Sequence, residues 1–126
     1  MDCISTQKEL VDLYFTSWLT YDTTLITQLF HDTSSYIIIP RKKVLCGIEE
    51  IIAYWIRNSK RQKNIELEWE TSNINEFYAF SDFSAGFYDV ELNVNVHIHG
   101  TIAFVFERTH IHCLSEYYTK HITDKE

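Results

Sequence analysis

The sequence predicts an α+β fold in which three N-terminal helices lie across a curved antiparallel sheet and close a cone-shaped pocket. Two changes of period carry that prediction. Behind Cys46-Gly47, the apolar residues Ile48, Ile51, Ile52 and Trp55 recur at helical spacing and form one face. From Ile65 onward the period becomes two, with Ile65, Leu67, Trp69 and Thr71 alternating against Glu66, Glu68 and Glu70. A chain of 126 residues suits one hydrophobic core and not two, so residues 1–126 are expected to form a single domain.

Taken in order, Thr6-Gln7-Lys8-Glu9 has the form of a capping box, predicting a first helix to about Leu19 with Leu10, Leu13, Tyr14, Ser17 and Trp18 inward. Asp22 offers an N-cap for a short second helix through Leu25, Ile26, Leu29 and Phe30. His31 to Ser35 has the composition of a turn, and Tyr36 to Ile39 reads as a strand stopped by Pro40, which lacks a ladder donor. The third helix opens at Gly47 and ends in the polar stretch Asn58 to Asn64. Four strands follow: one from Ile65, one from Phe77 to Leu92 with a bulge expected at Gly86, one from Val94 to Glu107, and one from Ile111 to about Lys120. Long antiparallel strands with a bulge imply a curved sheet, which needs helices across its concave side.

Composition excludes several classes of function. Eleven Lys and Arg against eighteen Asp and Glu leave a net charge of -7, which opposes the phosphate neutralisation behind nucleic-acid affinity. The basic runs Arg41-Lys42-Lys43 and Arg57 to Lys63 are local exceptions, read as solvated charges or as contacts for an anionic ligand group. Cys3, Cys46 and Cys113 are odd in number and lack a close pair, so neither a disulfide framework nor a zinc knuckle is indicated and a cytoplasmic location is expected. No stretch approaches the length of a membrane span or a secretory leader. No Gly-rich phosphate loop or nucleophile elbow is present, and no cofactor is expected.

The order of elements, with Leu29-Phe30-x-Asp32, Gly47-Ile48-Glu49-Glu50-Ile51 and the closing Ile111 to Tyr118, resembles the nuclear transport factor 2-like superfamily and especially its SnoaL-like branch. The resemblance implies a cystatin-like cone with a helix-lidded cavity and a homodimer formed through sheet surfaces. It does not imply one activity, because isomerases, dehydratases, cyclases and noncatalytic modules share the fold. Ketosteroid isomerase, the sharpest chemical template, uses an aspartate base, a tyrosine and a protonated aspartic acid. Carried over by position, its tyrosine falls at Tyr14, its base near Ile38 and its second acid near Ala103. With both carboxylates missing there, steroid-type isomerisation is disfavoured.

The candidate catalytic residues are therefore Tyr14 with His97 and His99, whose strand parity the resemblance places toward the cavity. Imidazoles there could supply acid/base chemistry with Asp32, Asp82 or Asp89 as partner. Trp18, Tyr36, Tyr54, Trp55, Trp69 and Tyr88 are the candidates for an apolar cavity wall, with core packing as the alternative for each. Asp32 suits a turn better than proton transfer, and Glu66, Glu68 and Glu70 suit a solvated face. The pairs His97/His99 and His110/His112 invite a metal, but a tight turn near Arg108-Thr109 separates them by roughly 20 Å at ~3.3 Å per residue, so no metal site is expected. The function expected is a domain that binds a small apolar molecule, with an acid/base enzyme as its catalytic form and a noncatalytic dimerisation or association module as the alternative.

Overall fold

The computed structural model describes residues 3–124, with side chains for residues 7–123. Its elements are α1 (Cys3–Thr20), α2 (Thr23–Leu29), β1 (Phe30–Ile38), a 3-10 turn (Ile39–Arg41), β2 (Lys43–Cys46), α3 (Ile48–Ser59), β3 (Gln62–Ser72), β4 (Tyr78–Asp89), β5 (Val94–Glu107) and β6 (His110–Asp124). One curved, unclosed sheet takes the order β2-β1-β6-β5-β4-β3. The fold class is the α+β cone that the sequence predicts. Its sheet is mixed, however, because β1 and β6 run parallel while the other neighbours are antiparallel.

The α1 backbone begins at Cys3, so Thr6 lies inside the helix; the capping role read for its side chain falls outside the described residues. Leu10, Val11, Tyr14, Phe15 and Trp18 are buried, whereas Leu13 is 38% exposed. The inward stripe is thus rotated from the expected one, with Val11 and Phe15 replacing Leu13. Asp22 caps α2 as predicted, its carboxylate accepting from the backbone N–H groups of Thr24 and Leu25. On α3, Ile51, Tyr54 and Trp55 are buried and Ile48 and Ile52 half-buried, so the helical face read from the sequence packs on the sheet.

Residues 31–35 form strand where a turn was expected, because this stretch is held by paired residues at both ends: β6 pairs Phe30 with Ile111 and Ser35 with Cys113, and β2 pairs Ser35 with Cys46. Gly86 is not a bulge. β4 and β5 pair without interruption from Tyr78↔Val105 to Asp89↔Val94, and the irregularity lies in β3 between Lys63 and Glu66, where Asn64 takes a φ of 56°. Val90 and Leu92 are exposed beyond the end of β4. The inner face of β4 is accordingly continuous: Ala79, Ser81, Phe83, Ala85, Phe87 and Asp89 are all buried.

Gly47 places α3. Its φ of 88° is in the left-handed half of backbone space, its N–H donates to Ser34 O at 2.7 Å, and an added Cβ would lie 3.0 Å from Asp32 O. Gly47→Ala is expected to destabilise the fold by about 1–3 kcal/mol, measured by urea unfolding; an unchanged midpoint would mean that this turn does not constrain the helix.

Candidate functional site: a buried carboxyl on an aromatic cavity

The inner ends of α1 and α3 and the inward faces of β1, β4, β5 and β6 enclose a cavity of about 190 Å³. Four aromatics proposed from the sequence line it: Trp18, Tyr36, Tyr54 and Trp55, joined by Tyr21 and Phe87. Trp69 and Tyr88 do not. Trp69 stacks on Phe15 at 4.8 Å between ring centroids and donates to Asp12 Oδ1, which makes it a strut between β3 and α1. Tyr88 has the opposite parity from the cavity-lining Phe87.

The decisive residue is Glu116, which the sequence reading did not single out. On β6 it shares the inward parity of Leu114 and Tyr118, is 4% exposed and lines the cavity. Parallel pairing sets it beside Ile38, so a carboxyl stands one strand away from the position where the isomerase template would put its base. The Tyr36 hydroxyl donates to Glu116 Oε1 at 3.2 Å. Because that bond uses its single hydrogen, Tyr36 accepts from the Tyr14 hydroxyl, 2.6 Å away. Tyr14 is fully buried behind the cavity wall, and its hydroxyl meets that wall at Tyr36.

Burial removes water from Glu116 and pushes its carboxyl up to about 7, against the smaller downward pulls of the Tyr36 hydrogen bond and the Arg41 charge. Desolvation likewise raises Tyr14, Tyr36, Tyr21 and Tyr54, with Glu116 adding repulsion toward each phenolate. These phenols therefore remain neutral donors around a carboxyl that titrates near neutrality. Trp18 Nε1 and the Tyr21 hydroxyl both donate to Gln62 Oε1, which leaves the Gln62 amide NH₂ as a donor on this wall. Trp55 Nε1 donates to Ser17 O and ties α3 to α1.

Arg41 and Lys120, both exposed, mark the open end, and neither joins an ion pair among the described residues. Arg61 is engaged by Asp89 at 2.9 Å and by Glu91 at 3.4 Å. Part of each basic run in the sequence thus contributes to one wall.

His97 and His99 do not face this cavity. Their inward neighbours Val96 and Ile98 line it, while both histidines are exposed on the outer face. The physical reason is strand alternation: the resemblance placed 97, 99 and 103 inward, but the buried set on β5 is Val96, Ile98, Ile102, Phe104 and Phe106. His97 instead covers Gly86, where an added Cβ would meet its Nδ1 at 3.2 Å. The available signal for Glu116 was similar, since Leu114, Glu116 and Tyr118 alternate with Cys113, Ser115 and Tyr117. Once Leu114 is recognised as core, Glu116 follows it inward.

No family model matches the chain, and no curated protein matches it in sequence. Solved structures do. A Shewanella denitrificans protein described as a SnoaL-like polyketide cyclase superposes with a TM-score of 0.79 at 11% identity, over 89% of each chain. SalBIII, an epoxide hydrolase/cyclase-like enzyme with a role in pyran ring formation in the polyether salinomycin, gives 0.78 at 16% identity, covering 91% of this chain and 92% of its own. A Catenulispora acidiphila protein with a ketosteroid isomerase-like fold, solved with trimethylamine, gives 0.77 at 16% identity, over 88% of this chain and 85% of the other. The chain therefore has the nuclear transport factor 2-like fold, in the form found in SnoaL-like proteins. Among the described residues, no helix is long and apolar enough to cross a membrane.

Because Glu116 moves from 4.5 to about 7 on folding, the folded chain holds this proton more tightly than the unfolded one. Stability from this group is whole below about pH 4.5, declines as pH rises, and is lost once pH passes about 7. Wild type should thus lose about 3 kcal/mol relative to Glu116→Gln between pH 4.5 and 8, measured by denaturant unfolding of both proteins; parallel pH profiles would show that Glu116 does not titrate in this way.

Proposed function

We propose that this chain binds a small, largely apolar molecule in its cone and carries out cofactor-independent acid/base chemistry on it through Glu116 and Tyr36. The observation that carries the reading is a carboxyl buried on an aromatic cavity wall, beside a phenol donor and titrating at about 7. A general acid or base works best when its pKa lies near the operating pH.

The cavity limits the substrate. A void of about 150 Å³ holds benzene, so about 190 Å³ suits a molecule with one ring and a few substituents, and not a fused polycycle. Arg41 and Lys120 at the open end would suit a polar or anionic substituent. The chemistry that fits is proton transfer at carbon beside a carbonyl. Glu116 takes the proton, the electron pair of the C–H bond forms a carbon–carbon double bond as the carbonyl π pair moves onto oxygen, and Tyr36, no longer donating to an ionised carboxylate, turns its hydroxyl to that oxygen. Tyr14 is a positioning residue, because its hydroxyl donates into Tyr36. The fold shared with proteins described as cyclases supports an acid/base class and says nothing of the substrate.

A homodimer through the outer sheet face is part of the same proposal, and this face also supports the alternative of a noncatalytic association module. Pairing carries Phe80, Ala103, Ser115, Ile37 and Val44 across the sheet in one row, with Tyr78 and Val105 in the next. Phe80, Tyr78, Val105, Val44 and the nearby Tyr117 are all exposed, an apolar patch of the kind that marks an interface.

Three measurements test these readings. In D₂O, wild type should speed exchange of the α-hydrogens of cyclohexanone with a midpoint near pH 7, Glu116→Gln should lower that rate about 100-fold or more, and the His97→Ala/His99→Ala double variant should keep it. Exchange at the buffer rate would remove the acid/base role, and Trp18 and Trp55 fluorescence unchanged by a panel of one-ring compounds would remove the ligand role. By light scattering, Phe80→Lys/Val105→Lys should be monomeric where wild type is dimeric; a monomeric wild type would remove the association reading.

A further inference from the structure

A second cluster of chemistry-bearing side chains lies at one corner of the sheet, four residues along β6 from Glu116, and none of its members lines the cavity. His31 Nε2 is 3.1 Å from Glu107 Oε1, His112 Nδ1 is 3.6 Å from the same oxygen, and the two ring nitrogens are 3.4 Å apart. We propose that His31 Nε2, His112 Nδ1 and a carboxylate oxygen of Glu107 form a binding site for a divalent transition ion of the zinc class.

The dimensions are those of a coordination polyhedron. Tetrahedral zinc with bonds of ~2.0–2.1 Å to nitrogen and oxygen has ligand atoms ~3.3–3.4 Å apart, and the three observed edges of 3.1, 3.4 and 3.6 Å bracket that length. An ion above this triangle would touch all three atoms at bonding distance with little movement of the side chains. Two imidazoles and one carboxylate suit zinc, cobalt, nickel or copper; magnesium and calcium require more oxygen ligands.

Hydrogen bonds alone do not account for the convergence. If His31 donates its Nε2–H to Glu107, that nitrogen has no lone pair for His112, and the distance from His112 Nδ1 to Glu107 is 3.6 Å, too long for a good hydrogen bond. Two of the three contacts then stay unsatisfied. A cation satisfies all of them, and Thr33 Oγ1, 3.0 Å from His31 Nδ1, can then accept the Nδ1–H, the kind of outer partner that orients a ligating histidine. In the metal-free tautomer the Thr33 N–H donates to Nδ1 instead, at 3.3 Å.

The backbone is built to produce this meeting. β6 passes from the pair Val105↔Cys113 to Phe106↔Ile111, so His112 is the extra residue of a bulge, a device that re-aims a side chain. On the other flank, β1 runs from Phe30↔Ile111 to Ser35↔Cys113, a second irregularity that contains His31. Both are pinned by Ser34, which is fully buried; its Oγ accepts from His31 N–H at 3.0 Å and donates to Ile111 O at 2.7 Å. Two ladder irregularities therefore meet at His31 and His112, and Glu107 closes the triangle from the end of β5. Glu107 and His112 are exposed, so an ion there would keep a face open to solvent or to a further ligand. Its effect on the fold would be to clamp the start of β1 to the β5–β6 hairpin.

The test uses the untagged protein and Zn²⁺ or Co²⁺ alone. Calorimetry should give one Zn²⁺ per chain, Co²⁺ should develop the visible bands of a low-symmetry four-coordinate site, and excess Zn²⁺ should raise the melting temperature. His112→Ala and Glu107→Gln should each weaken Zn²⁺ binding about 100-fold and abolish that rise, Thr33→Val should weaken it about 10-fold, and His97→Ala/His99→Ala should change nothing. All three ligands sit at the surface or near it, so the metal-free melting temperature serves as a check that each variant folds. No binding in wild type, or equal loss in the His97/His99 variant, would overturn the proposal.

Discussion

The pairing of β6 on both edges, parallel to β1 and antiparallel to β5, sets the terms for the remainder of the molecule. A strand with ladder bonds on two sides cannot rotate a residue from one face to the other without losing those bonds. Leu114, Glu116 and Tyr118 are therefore held toward the helices, and Cys113, Ser115 and Tyr117 away from them. Leaving a carboxylate on the inner face costs solvation that the Arg41 charge restores only in part, since no ion pair to Glu116 is formed among the described residues. The Tyr36 hydroxyl offsets part of that cost, and retention of a proton to higher pH offsets the rest.

The aromatic side chains divide between two tasks. Tyr14 meets Phe15, Trp55 and Phe104 at 5.2, 5.7 and 5.6 Å, which joins α1, α3 and β5 into a rigid support behind the cavity. Tyr36 and Tyr54, 5.7 Å apart, form the wall itself. The phenols serve both tasks, because a ring can pack in the core while its hydroxyl remains within reach of a polar partner.

How much of this was legible in the sequence depends on how far apart the cooperating residues lie. Helix α3 and the alternation of β3 were readable because their periods are local and uninterrupted, and β5 was placed at its observed limits, Val94–Glu107. Strand β1 was cut short, since His31 to Ser35 is turn-like in composition and becomes strand only through distant partners, Cys46 on β2 and Cys113 on β6. Tyr36, Tyr54, Trp18 and Trp55 were chosen as bulky aromatics on packed faces. The same reasoning failed for Trp69 and Tyr88, because aromatic character does not say which side of a sheet holds the void. His97 and His99 were turned the wrong way by a carried-over alignment, although Val96, Ile98 and Ile102 beside them already marked the apolar side. The triangle of His31, Glu107 and His112 was beyond local reading altogether: it needs three strands and a bulge.

The depth of Glu116 bears on how the cavity manages protons. Its carboxyl is walled by neutral phenols and reaches solvent only across the space that a ligand would fill. A bound molecule would displace that water and leave the carboxyl in whichever ionisation state it held at entry. Ligand capture would then count protons as well as select shape: molecules met by the acid form and by the base form enter chemically distinct containers, and release must come before the carboxyl can be reset.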